Sequence, residues 1–226
     1  MGGYLNLIIA SIAFVGSHFA MSHSLRPGMV RVFGHNAFMV VYSFISLATL
    51  IWMVIAYRAI ADSTPFWQAG DILWGIASFL TFVAAVLYSG SMSGNPALPS
   101  PGAAEYAGRL PSGVFRVTRH PMMWSFALWG IAHILIAPRT DNFIFIGSII
   151  FLALAGAKAQ EIKKSANMGV EWEMWCRRTS YFPNVTGIVA IGPWTWIIGT
   201  ALWLFATWAH GWFNLPAAGL FRWLAL

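Results

Sequence analysis

Residues 116–135 read RVTRHPMMWSFALWGIAHIL. Arg116, Arg119 and His120 stand at the entrance, Pro121 follows, and no formally charged side chain appears again before Leu135. Pro121 suits the first position of a helix, where its missing N–H is not needed and its φ is already helical. A basic entrance leading into an apolar run is the pattern of a helix entering a bilayer from a cytoplasmic loop. One residue does not belong to that pattern. His133 places an imidazole about 18 Å along the helix from Pro121, among apolar neighbours.

The rest of the chain extends the reading. Of 226 residues, 58% are hydrophobic and 9% charged, and the mean hydropathy is +0.67. A soluble domain carries about a quarter charged residues, so this chain cannot solvate its own surface and belongs in a membrane. Thirteen Trp, seventeen Phe and six Tyr suit interfacial belts and a lipid-facing exterior. Six stretches are apolar enough to predict spans: Tyr4–Ser22, Ala37–Tyr57, Ile72–Met92, Pro121–Ala137, Phe143–Ala159 and Val185–Ala209. The fifth is short. The predicted fold is an all-α, polytopic integral membrane helix bundle of about six spans, forming a single domain over residues 1–226 without internal repeat. The first span lacks a basic n-region and reads as retained.

Arg26, Arg31, Arg109, Arg116, Arg119, Lys158, Lys163, Lys164, Arg177 and Arg178 fall in loops on one side, ten of the thirteen Lys and Arg residues. Arg58, Arg139 and Arg222 fall on the other. The positive-inside rule therefore predicts both termini on the non-cytoplasmic side. It also explains the net charge of +6 without a nucleic-acid partner. The single cysteine, Cys176, excludes an intrachain disulfide and a cysteine-based zinc site.

Two connections are longer than a simple turn. Residues 93–120, SGNPALPSPGAAEYAGRLPSGVFRVTRH, are rich in Gly, Pro and Ser, and connections of that length are usually functional or disordered. In residues 160–183, QEIKKSANMGVEWEMWCRRTSYFP, the spacing of Trp172, Trp175, Arg177 and Arg178 predicts an amphipathic helix on the anionic inner leaflet. The tail LPAAGLFRWLAL, residues 215–226, is too short to span and reads as an interfacial helix.

An ionisable group inside a span is costly and points to function. By this topology His18 and His133 are the two intramembrane histidines. The bland role for each is a hydrogen bond to a neighbouring helix. Two on separate helices favour a shared ligand, and a haem iron commonly takes axial histidines. Gly130 and Phe126 lie at i−3 and i−7 from His133, one leaving room for a flat macrocycle and the other a ring to stack on its edge. Arg26, Arg116 and Arg119 are cations in the zone where propionates would emerge. Arg119 and His120, at a helix start, read either as a clamp for an anion or as side chains reaching for lipid headgroups. His23 reads as an interfacial residue or an alternative ligand, His35 and His210 as loop or interfacial residues, Cys176 as an ordinary surface thiol, and Glu161 as a juxtamembrane charge. No paired carboxylates, phosphate-binding glycine loop or serine triad stands out in the sequence.

Taken together, SHFAMSHSLRP (17–27), NAFMVVYSFISL (36–47), NPALP (95–99), TRHPMMWSFALWGIAHIL (118–135) and GVEWEMWCRRTSYFP (169–183) resemble the NnrU family of membrane proteins over nearly the whole chain. The resemblance implies a multi-pass protein of the bacterial inner membrane, associated with nitrate, nitrite and nitric oxide respiration. It extends to a plastid relative, the b-haem 15-cis-zeta-carotene isomerase, whose haem histidines fall on His18 and His133. It thus implies haem b and redox or isomerase-type chemistry on an apolar small molecule or a gas ligand. That isomerase has a cysteine three residues before the second histidine as an exchangeable ligand, where this chain has Gly130. A second resemblance is to the isoprenylcysteine carboxyl methyltransferases, which hold S-adenosylmethionine with an RHP motif and later acids, here Arg119, His120, Pro121 and Glu161. A non-catalytic accessory role in denitrification is the third expectation.

Overall fold

The computed structural model describes residues 2–61, 63–98 and 102–224. Every regular element among them is helical. Nine α-helices run in order: α1 (Gly2–Ser22), α2 (Arg26–Arg58), α3 (Asp71–Gly90), α4 (Ala103–Gly108), α5 (Pro121–Ile136), α6 (Thr140–Met168), α7 (Val170–Arg178), α8 (Pro193–Ala209) and α9 (Leu220–Leu224). Four of them, α1, α2, α3 and α6, are long and apolar enough to cross a membrane. α5 and α8, at 16 and 17 residues, are shorter.

Three predicted spans differ from the helices that form. The second is extended upstream: α2 starts at Arg26 rather than Ala37 and is kinked at Gly34 (φ 78°, ψ 165°). The fifth, expected to be short, lies inside the 29-residue α6. Lys158, Gln160, Glu161, Lys163 and Lys164 are strong helix formers, so the helix outlasts its apolar stretch. The sixth is broken, with a 3₁₀ turn at Val185–Ala190 and α8 beginning only at Pro193. Pro193 forces extended backbone on Gly192 (φ −69°, ψ 158°) and cannot continue a helix from upstream.

The chain folds as two compact units, Met1–Gln68 with Ala137–Leu152, and Ala69–Ile136 with Ala153–Leu226. In the first unit α1 packs on α2, burying Leu7, Ala10 and Phe14 against Met53 and Ala56, with Ile144, Phe145 and Ile149 of α6 alongside. The α1 positions recur at three and four residues, one face of a helix. A polar cluster closes this unit: Arg139 donates to the Tyr57 hydroxyl at 2.8 Å and to Asp141 at 2.9 Å, and Tyr57 donates to Asn142 at 2.6 Å.

In the second unit α3 packs against both α5 and α8. Gly199 sets the approach of α8: a Cβ there would stand 2.7 Å from the Cα of Val86. A small residue at a helix crossing lets backbones come this close. Below this lies a core of Val86, Leu87, Ala107, Val114, Phe115, Val117 and Ile191, completed by Trp172 and Trp175. Both tryptophans are 2% exposed. α7 is therefore amphipathic as predicted, but its apolar face is spent on the protein interior rather than on lipid. Asn95, Ala97, α4 and a 3₁₀ turn at Gly113–Arg116 give the described part of the 93–120 connection its structure, α4 packing on α7. The amine of Lys164 donates to the carbonyls of Pro96 and Leu98 at 2.7 and 3.1 Å.

Candidate functional site

α5 presents Ser125, Phe126, Trp129, Ala132, His133 and Ile136, spaced three and four apart, to a half-open cavity of about 280 Å³. Opposite them stand Ala77, Thr81, Ala84, Ala85 and Tyr88 of α3, and Trp203, Ala206 and Thr207 of α8. The wall is almost wholly apolar, built of small residues and indoles. The tail closes one end with Ala218 and Gly219. Gly219 has φ +57°, and a Cβ on it would meet Thr207 at 2.8 Å and Trp203 at 2.9 Å. Only glycine lets the tail fold this tightly onto α8. The tail thus lends Ala218 and Gly219 to the cavity wall, while Leu220–Leu224 form the short exposed helix α9.

His133 is half-buried in that wall. Its Nδ1 stands 2.7 Å from the Trp129 carbonyl. A carbonyl only accepts, so Nδ1 carries the proton and Nε2 holds the lone pair. This is how metal-binding histidines are oriented. Phe126 lines the same cavity, but Gly130 is buried outside the lining. His210, read from sequence as an interfacial residue, lines it too, its ring centroid 6.4 Å from that of His133.

His18 belongs to the first unit, on α1. Its Nδ1 donates to the Phe14 carbonyl at 2.7 Å, again leaving Nε2 as the lone-pair nitrogen. Phe14 and Tyr42 meet the ring edge-on at 4.5 and 5.7 Å. Arg26 lies over the Phe38 ring, 5.1 Å from its centroid.

Arg119 and His120 form a second constellation. Rather than reaching for headgroups, both turn inward to one carboxylate on α6: Arg119 Nε lies 2.5 Å from Glu161 Oε1, and His120 Nε2 lies 3.4 Å from the same oxygen. Lys158 reaches Oε2 at 2.7 Å. Glu161 is 9% exposed and His120 2%, so Glu161 is no ordinary juxtamembrane charge. The anion at this helix start is the protein's own. Residues 179–181 hold the motif from behind: Arg119 donates to the Thr179 and Ser180 carbonyls, and Thr118 and Trp124 donate to the Tyr181 carbonyl at 2.7 and 2.8 Å. Burial lowers the pKa of His120 below its usual 6.5, against the opposing pull of Glu161. Its Nδ1 is buried with no hydrogen-bond partner among the described residues. Beside Glu161 an open groove of about 570 Å³ runs past Ser165, Trp172 and Cys176. Burial also raises the Cys176 thiol, the reverse of an activated nucleophile.

Among the described residues no three His, Cys, Asp or Glu side chains converge as a metal site. The sequence alone does not show His210 as a partner of His133, and it ties Glu161 to Arg119 and His120 only through the methyltransferase resemblance. Neither has a periodic relation to its partner, being 77 residues from His133 in one case and 41 from His120 in the other.

A 15-cis-zeta-carotene isomerase from the chloroplast of Zea mays is 24% identical over 184 residues, 78% of this chain. The chain spans about half of that relative's length, 49%. No solved structure matches the chain. The profile of the NnrU protein family matches residues 6–217. The chain is a member of the NnrU family.

Proposed function

We propose that the chain is a multi-pass bacterial inner-membrane protein that holds a b-type haem against His133 and supports redox or isomerase-type chemistry on an apolar substrate. The observation that carries the reading is His133 itself, a neutral imidazole in the wall of an apolar cavity with Nδ1 fixed by Trp129 and Nε2 left as a ligand. The donor set suits a haem. A bare zinc site takes three or four protein ligands, whereas a macrocycle supplies the equatorial nitrogens and asks the protein for one or two. At about 280 Å³ the cavity is near the small end of ligand pockets, roughly 300–1,000 Å³. Its open side leaves room for a rim of the macrocycle to stand proud.

When bound, the haem would supply redox-active iron chemistry. The residues that would hold it are His133 and the apolar wall around it, where Trp129, Trp203, Ala84, Ala132 and Ala206 keep water out. The similarity to the carotene isomerase supports a polyene or comparable long apolar substrate, and the family resemblance a role in nitrate, nitrite or nitric oxide respiration. His18 is the further iron ligand that the resemblance proposes, and Arg26 and Arg119 are the cations proposed for the propionates. Six spans with both termini outside the cytoplasm complete the proposal, supported by the ten-to-three distribution of Lys and Arg. The detergent-purified protein is expected to show a Soret band that is lost in His133→Ala. A colourless, folded wild type would refute the reading.

A second reading has its own observation. Arg119, His120 and Glu161, the residues carried by the methyltransferase resemblance, do meet, beside an open groove. Against it, Glu161 is already engaged by the cations Arg119 and Lys158 and by the His120 ring, and has little capacity left for a ligand. Saturable S-adenosylmethionine binding by a colourless protein would favour this reading, and binding of neither cofactor the accessory role.

A further inference from the structure

His210 opens the 3₁₀ turn His210–Phe213 at the end of α8. Its Nδ1 stands 3.2 Å from the Pro216 carbonyl, in the tail segment that folds back over the cavity. As at His133, the carbonyl accepts, Nδ1 donates, and Nε2 of the neutral ring keeps its lone pair. The cavity wall thus carries two imidazoles whose free nitrogens are both acceptors, on rings 6.4 Å apart and inclined at 55°. A metal ion takes imidazole nitrogen at about 2.0–2.1 Å, so two rings on opposite sides of one ion stand with centroids roughly 6 Å apart.

We propose that His210 is the second imidazole ligand of the metal held by His133. Its chemistry is that of a transition-metal ion accepting two neutral nitrogens from opposite sides, and, resting on the haem reading above, that ion is the haem iron. The tail is then part of the site, because the Pro216 carbonyl orients His210, and Gly219 permits the fold that brings that carbonyl there. His210 stands in place of the His18 ligand that the resemblance carries over, and the variants below separate the two.

The test uses the full-length protein in detergent, with electron paramagnetic resonance beside the optical spectrum. If haem co-purifies, the ferric wild type is expected to be low-spin. His210→Ala converts it to high-spin with haem retained, while His18→Ala leaves it low-spin. His210→Gln, a closer replacement, must give the same conversion with an unchanged tryptophan-fluorescence melt. A low-spin signal that survives in both His210 variants, or is lost only in His18→Ala, would overturn the proposal and leave the haem reading standing. If no haem co-purifies, copper(II) added alone tests the pair directly. Hyperfine coupling from two nitrogens, reduced to one in His210→Ala, supports the pair while the haem reading fails. A copper signal indifferent to His210, or no bound copper, overturns it.

Discussion

Replacing Glu161 with Gln keeps the size of the side chain and removes the charge on which three cationic or cation-forming groups converge. The Arg119 and His120 side chains are 13% and 0% exposed, so neither can move out to water. Removing one partner from a buried charge pair costs about 3–5 kcal/mol, chiefly through the charge left behind. Arg119 keeps its bond to the Thr179 carbonyl at 2.9 Å, and Lys158, with its side chain 68% exposed, is solvated at once. Both mitigate the loss, which places Glu161→Gln near about 3 kcal/mol. For a chain of this size 1 kcal/mol corresponds to about 2–4 °C, so the melting temperature should fall by roughly 6–12 °C. Thermal unfolding in detergent, followed by tryptophan fluorescence, reads the shift. Lys158→Ala removes the exposed member of the cluster and should cost at most about 1 kcal/mol. A Glu161→Gln melt within about 2 °C of wild type, or a Lys158→Ala shift equally large, would refute the account of this cluster.

Three other outcomes follow from the packing and the electrostatics. Gly199→Val should lower stability by about 1–3 kcal/mol or more by pushing α8 off Val86, whereas Gly147→Ala, with open space around it, should change the melt little. Trp172→Ala empties the centre of the lower core and should cost about 3–5 kcal/mol, measured by the same melt; an exposed interfacial tryptophan would lose far less. Because burial holds His120 below its usual 6.5, the unfolded chain takes up the proton first as pH falls. The His120 contribution to stability is complete above about pH 6.5 and declines below it, so His120→Gln should flatten the loss of melting temperature between about pH 6.5 and 5.

The helices were legible in the sequence because each depends on local information. Apolar length places α1, α3 and α6, Pro121 marks the start of α5, and Trp172, Trp175 and the arginine pair mark α7 as amphipathic. Where α7 spends its apolar face was not legible, since a stripe of tryptophans looks the same whether lipid or Phe115 covers it. The break before α8 was written in Gly192–Pro193 but hidden within a long apolar run. His133 was found through its position inside a span and Arg119–His120 through their motif. His210 reads as ordinary, and so does Glu161 apart from the methyltransferase resemblance, because their partners arrive from other helices and only packing brings them in. Gly130 was placed beside His133 by helical spacing, yet it is buried away from the cavity, 60° of rotation being enough to separate two residues on a narrow helix face.

The central claim is that the His133 imidazole is a ligand waiting in an apolar pocket. An optical spectrum of the purified protein, compared with that of a folded His133→Ala variant, tests it most directly. The account predicts a Soret band in the wild type and none in the variant, with matching melts. An identical Soret band in both would contradict it.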